Sequence, residues 1–268
     1  MVDARKPAAA GVFYPAEREG LVERLRELLD AAASDQPGPS GWPARAIVVP
    51  HAMSGASGTV AAAAWQRVAS SKAHLKRVVL LGPAHHVPFG GIAAPFADAF
   101  ATPLGVVPVD RLAIEALRRF PQLAVNDLPH EQEPSLEAQL PFVQTVLDGV
   151  PVLPLIVGEL ADEDAAEVLG AIWDDATLVV VSTDLSRYFD APSARRLDEE
   201  TARAIEALEG TTIREERACG HAALRALLLV ARARKMHATR LVLAHSGDRS
   251  GESDEVVGYG AFVFVEAG

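Results

Sequence analysis

The sequence predicts an α/β fold of three layers, a mostly parallel central sheet flanked by helices, with a hairpin excursion near residues 92–110. Three observations carry this. Short apolar runs rich in Val, Ile and Leu recur along the chain, as strands buried on both faces do. Between them lie segments with leucines and alanines at helical spacing. The runs end at Pro- or Gly-containing turns bearing polar side chains, and in an open α/β sheet such turns line the carboxyl edge where ligands bind.

Taken in order, Leu21, Leu25, Leu28 and Leu29 place the first helix over Leu21 to Ala33, and the Pro, Gly and Ser stretch from Gln36 to Pro43 breaks it as a loop. A strand over 45–50 feeds an Ala-rich helix from about Thr59 to Ala69, whose small side chains allow close packing on a sheet, and a strand over 77–82 completes a βαβ unit. From Ile92 to Asp110 the pattern is short and punctuated, with Thr102-Pro103-Leu104-Gly105 as the turn of the hairpin. Helices follow over 111–120 and 135–148. Strands over Pro151 to Val157 and Thr177 to Val181 bracket a helix opening at Asp162-Glu163-Asp164, acids that suit a helix N-terminus. Arg195 to Leu208 and Cys219 to Arg234 read as amphipathic helices, and Arg240 to Ala244 with Val256 to Val265 as closing strands.

A chain of 268 residues with 49% hydrophobic content buries a full core, and no internal stretch reads as a linker, so one domain over 1–268 is expected. Lys and Arg number 25 against 36 Asp and Glu, a formal charge of -11 that argues against a phosphate-backbone binder; nucleic acid is not an expected partner. Cys219 is the only cysteine and forms no internal disulfide, so the cytoplasm is the expected compartment. The first residues lack an apolar signal core, and no run approaches the ~20 apolar residues of a membrane span, so no membrane partner is expected.

Two of the apolar runs end alike: Ala46-Ile47-Val48-Val49-Pro50-His51 and Val78-Val79-Leu80-Leu81-Gly82-Pro83-Ala84-His85-His86. Imidazoles from neighbouring strand ends converge as one strand could not make them, and imidazole is the commonest protein metal ligand. Val179-Val180-Val181 runs into Ser182-Thr183-Asp184, and Leu241-Val242-Leu243-Ala244 into His245-Ser246-Gly247-Asp248, so His51, His85, Asp184 and Asp248 share one expected crevice. Two histidines and a carboxylate match a facial-triad iron site. Asp248 reads equally as a turn residue capping its own backbone, and Asp184 first as a helix N-cap. Cys219 reads as a buried small residue, since no paired base is visible beside it.

The ordered motifs Ala10-Gly11-Val12-Phe13-Tyr14-Pro15, Val49-Pro50-His51-Ala52, Leu81-Gly82-Pro83-Ala84-His85-His86, Pro134-Ser135-Leu136-Glu137-Ala138-Gln139-Leu140-Pro141-Phe142, Ser182-Thr183-Asp184-Leu185-Ser186, Cys219-Gly220 and Val257-Gly258-Tyr259 together resemble the Memo family. Bacterial members are labelled AmmeMemoRadiSam system protein B, and the fold is similar to that of class III extradiol dioxygenases, which open catechol rings with non-heme Fe(II). The resemblance implies metal binding by His51 and His85, with His86 beside the second. It implies Asp248, within Ser246-Gly247-Asp248, as third ligand, with His245 as the substitute. Fe(II) is the implied metal, with copper and zinc also compatible.

Departures from the family pattern narrow the chemistry that the resemblance implies. A usual histidine is Pro134 here, which reads as helix N1; another, similar to the extradiol acid/base, is Arg187; and the rim tyrosine is lost at Ser54. Arginine stays protonated near neutral pH and is no general base, which disfavours catechol ring opening. It suits clamping a carboxylate or stabilising an anionic oxygen, although a surface pairing with Asp190 is an equal reading. His130, in the polar Pro129-His130-Glu131-Gln132-Glu133 loop, is a candidate to fold over the site, against a plain solvated loop.

The first expectation is therefore a metal-dependent oxygenase or redox enzyme acting on a small, acidic molecule, with Arg187, Asp184 and His86 as its catalytic set. The second is a non-catalytic Memo-fold binding or assembly protein in a modification pathway, whose crevice would be filled by Met53, Pro134 and Arg187. A zinc hydrolase using Glu133 or Asp184 as base ranks third.

Overall fold

The computed structural model describes residues 3–33, 43–251 and 253–266; the loop expected at Gln36 to Pro43 lies almost wholly outside the described residues. In chain order the elements are β1 (Ala4–Arg5), α1 (Arg18–Ala32), β2 (Ala46–Val49), α2 (Gly55–Ala69), β3 (Arg77–Pro83), β4 (Ile92–Ala94), β5 (Ala99–Thr102), β6 (Gly105–Pro108), α3 (Arg111–Leu117), β7 (Leu123–Val125), α4 (Pro134–Glu137), α5 (Leu140–Leu147), β8 (Val152–Val157), α6 (Asp162–Ile172), β9 (Thr177–Ser182), β10 (Arg187–Phe189), α7 (Ala191–Glu206), α8 (His221–Ala233), β11 (Met236–His245), α9 (Gly247–Ser250) and β12 (Val256–Glu266).

The fold is the expected three-layer α/β arrangement. At the sheet's centre β2, β9, β3 and β8 run parallel in that spatial order, and their residues are buried almost without exception. Such strands need cover on both faces, and helices supply it. Helices α1, α2 and α5 pack together as one group, while α6 and α8 pack on each other and α8 reaches β3 and β9. The alanines of α2 let it lie close: Ala61, Ala62 and Ala64 are buried, and Trp65 stacks on Phe142 of α5 with ring centroids 5.9 Å apart.

Antiparallel strands finish both margins. On one side β8 pairs with β4, which pairs with β7. On the other, β12 pairs with β2 along Phe262 to Phe264, with β10 at Val256 and Val257, and with β11 along its whole length. Because β11 opposes β12 and β12 opposes β2, β11 runs in the same direction as β2 but two strands away.

The hairpin near 92–110 is narrower than expected. Its Ile92–Ala94 portion belongs to the main sheet, and only β5 and β6 form the hairpin, which joins β1 in a separate three-stranded sheet. The helix expected over 135–148 is two helices, α4 and α5, because Pro141 lacks the amide that would continue the first turn into the second. Helix α7 begins four residues before the expected Arg195, where Asp190 caps it by accepting from the Ser193 amide and Pro192 fits the first turn.

Two of the family-like motifs are tied together as scaffold. The buried Glu137 carboxylate accepts from the Ala8 and Ala9 amides at 2.8 and 2.7 Å, from Tyr14 Oη at 2.6 Å and from Arg5 at 2.7 Å. Gln139 accepts from the Trp65 indole at 3.1 Å and donates to Pro50 O and Ser182 Oγ at 2.9 and 3.0 Å. These bonds anchor the N-terminal segment and fix the ends of β2 and β9, from which the site is built.

Candidate metal centre

His51 and His85 follow β2 and β3, the two strands that flank β9. Their rings meet edge to face with centroids 5.4 Å apart. Among the described residues they form, with Cys219, the one group of three metal-ligating side chains that converge, their ligand atoms all within 4.8 Å of one another. Cys219 arrives from the segment just before α8. Gly220 permits the approach: a Cβ there would stand 2.9 Å from Thr183 Cβ and 3.2 Å from Ser182 O, so only glycine lets this backbone lie on the end of β9.

The outer nitrogens of both histidines are committed. His51 Nδ1 lies 3.0 Å from Ser182 Oγ, whose own proton goes to Ser135 O at 2.7 Å, so the imidazole is the donor. His85 Nδ1 donates to Glu133 Oε1 at 2.9 Å, and the same carboxylate accepts the His85 and Ser135 amides at 2.7 and 3.0 Å. Both Nε2 atoms therefore face inward. That is how metal-binding imidazoles are held, with one nitrogen oriented by an outer partner.

Charge in the cluster is strongly coupled. Burial pushes the Cys219 thiol up, but the adjacent His51 and His85 outweigh it and hold it down at about 6. Sulfur also accepts from the Asp184 amide at 3.3 Å and contacts His51 Nε2 at 3.2 Å. Burial likewise opposes protonation of His85, yet hydrogen bonding to Cys219 and Glu133 raises it to about 9. Burial would raise Glu133, and its bonds to His85 bring it instead to about 2. His51 is raised too, the Asp184 carboxylate and the thiolate overcoming its complete burial. A thiolate, two imidazoles with inward Nε2 atoms and exchangeable protons are a donor set that could hold a thiophilic first-row ion, whose binding would displace those protons.

Arg187 opens β10 and reaches into the same space. Its Nη2 lies 3.4 Å from His51 Nε2, 3.3 Å from His85 Nε2 and 3.3 Å from Asp184 Oδ2. Asp190, the alternative partner, instead caps α7. The following residue, Tyr188, has φ 63°, a left-handed conformation that strands rarely hold, at an irregularity in the pairing of β10 with β12. His85, Arg187 and Cys219 line a cavity of about 880 Å³ whose wall includes Phe89, Tyr188, Phe189, Glu216, His221 and Arg225.

Of the other expected site residues, Asp184 borders the cluster and the rest fall elsewhere. Asp248, expected as third ligand, is not in the cluster: it accepts from Arg195 at 2.7 Å and from the His245 amide at 2.9 Å. His245, its substitute, accepts from Arg195 Nε at 2.9 Å. Both sit at the end of β11, two strand spacings beyond β2, about 10 Å. Asp184 caps no helix; its Oδ1 accepts the His51 amide at 3.3 Å and Oδ2 faces Arg187. His86 is exposed, its ring 6.5 Å from that of His85 and outside the cluster. His130 is buried against Phe100, bonded to Ala93 O at 3.0 Å, and burial lowers it to about 4; its loop contributes Glu133 to the site instead. Met53 and Pro134 are buried and do not line the cavity, and Pro134 opens α4 as expected.

Local pattern marks Cys219 only as a small buried residue and Glu133 only as a base. The available signal was Cys219-Gly220 itself, the chain's single cysteine beside a residue that permits close approach.

Residues 5–263 match the family of Memo-like proteins. A MEMO1 family protein of Aquifex aeolicus is 32% identical over 275 residues, taking in 97% of this chain and 99% of that protein. One of Thermotoga maritima is 34% identical over 279 residues, covering 95% and 97%. Among solved structures, an uncharacterized protein of Escherichia coli K12 aligns with a TM-score of 0.51 at 14% identity over 80% of this chain and 98% of that one, a likeness of fold alone. The chain belongs to the Memo-like protein family.

Proposed function

We propose that this chain is a metal-dependent protein in which His51, His85 and Cys219 hold one thiophilic ion at the floor of a cavity that takes a small, anionic molecule. The observation that carries the reading is the pair of outer-nitrogen hydrogen bonds, His51 to Ser182 and His85 to Glu133, which turn both Nε2 atoms toward the Cys219 sulfur. Two imidazoles and a thiolate favour copper or zinc over the two-histidine, one-carboxylate set that suits Fe(II) oxygenases, and iron remains the alternative implied by family likeness. Three protein ligands leave coordination open, so a bound ion would supply Lewis-acid or redox chemistry to a ligand entering from the cavity.

The chain's own residues define the rest. Glu133 and Ser182 orient the imidazoles; Asp184 holds Arg187; Arg187 offers a planar two-point donor to a carboxylate or other oxyanion beside the metal position. An arginine here gives no general base, so extradiol ring opening is not the reaction favoured. The open, mixed-charge cavity supports ligand binding over the purely structural alternative, since Met53 and Pro134 do not fill it. Anaerobic loading with copper(I), zinc(II) and iron(II) followed by desalting and metal analysis tests the reading. One equivalent retained by the wild type and lost in His51→Ala and Cys219→Ser is expected; retention unchanged in both variants, or none in the wild type, would overturn it.

A further inference from the structure

We infer that Arg187 is a built-in cation that competes with metal for the His51, His85 and Cys219 cluster, so that metal enters only as the guanidinium withdraws. The inference rests on the metal-binding reading above and adds a determinant of which ion the site accepts. Its basis is placement: Nη2 contacts both inward nitrogens, at 3.4 Å from His51 Nε2 and 3.3 Å from His85 Nε2, and is steadied by Asp184 Oδ2 at 3.3 Å. A zinc-type ion bonds imidazole nitrogen at about 2.0–2.1 Å and thiolate at about 2.3 Å. An ion so placed would bond the two Nε2 atoms that Nη2 faces, on the side where Nη2 now stands, once their protons have left.

Arginine has five donors and no acceptor, and it does not deprotonate in proteins, so it cannot join the coordination sphere as histidine would. It must move or repel. The cavity, whose wall it already forms, is the direction open to it. An oxyanion there would bind the withdrawn guanidinium, so metal and anion would assist one another's binding.

The repulsion depends on the ion's charge. A fixed positive charge opposes a dication about twice as strongly as a monocation at the same position. Alongside the thiolate, Arg187 thus biases the cluster toward copper(I) and against zinc(II).

Anaerobic competition against chromophoric chelators, on the full chain and its Arg187→Gln and Arg187→Met variants, tests this, with thermal melting to verify folding. Removing the charge is expected to tighten zinc(II) binding about tenfold or more, and copper(I) binding by a smaller factor, roughly the square root of the zinc gain. Arg187→Met, apolar and of similar length, guards against misfolding of the amide variant. Wild type and folded variants binding zinc(II) equally, or the variants more weakly, would overturn the inference while leaving the metal reading intact. No binding by any of the three would overturn both.

Discussion

Glu133→Gln is the substitution that most directly probes how the site is held. The carboxylate is buried, 2% exposed, and accepts three hydrogen bonds, two from His85. Its pairing with His85 brings the acid from 4.5 to about 2 and, after the hydrogen bond to Cys219, helps raise the base from 6.5 to about 9. The displacement of the buried acid corresponds to about 3 kcal/mol; that of His85, an exposed residue held also by Cys219, is screened by solvent and is not added. A glutamine keeps one acceptor and loses the charge, so the expected loss is ~2–3 kcal/mol at pH 6. The signs of the two displacements set the pH window. The lowered acid contributes stability that is present above pH 4.5 and lost as pH falls through about 2; the raised base contributes stability present below pH 6.5 and lost as pH rises through about 9. Urea unfolding of the metal-free wild type should therefore show a stability plateau between those limits that Glu133→Gln flattens, and NMR of the variant should show His85 titrating nearer its ordinary range. A loss below ~0.5 kcal/mol with parallel pH profiles would refute the reasoning.

Neighbouring contacts carry further expected outcomes. Alkylation of metal-free Cys219 should rise with pH about a midpoint near 6, and His51→Ala should move that midpoint toward the ordinary 9, measured by iodoacetamide rates. Glu137→Ala strands the Arg5 guanidinium, two amides and the Tyr14 hydroxyl; a cost of about 3–5 kcal/mol in chemical denaturation is expected, with the N-terminal segment exposed to proteolysis.

The parallel centre of the sheet and the two histidines were legible because local pattern sets both: an apolar run buried on two faces, then a proline turn, puts His51 and His85 on the same edge of the sheet. Their partners were not legible, because strand order is not written locally. His245 and Asp248 do leave a strand running with β2, but β12 intervenes and carries that strand to the sheet's margin, where Arg195 takes both side chains. Cys219 comes from irregular chain between two helices, and only the fold shows that Gly220 lays it on Ser182 and Thr183. Arg187 stands out in the sequence as a departure from the family pattern, yet its place between the two imidazoles depends on β10 pairing with the start of β12, a three-residue strand too short and irregular to read from pattern.

On the reading proposed above, His51, His85 and Cys219 bind one ion together. X-ray absorption at the zinc edge, on anaerobically loaded protein with one equivalent bound, measures it directly. One sulfur at about 2.3 Å and two imidazole nitrogens at about 2.0–2.1 Å are expected, with the sulfur shell absent from Cys219→Ser. A sphere of oxygen and nitrogen alone, or a spectrum unchanged by that substitution, would contradict it.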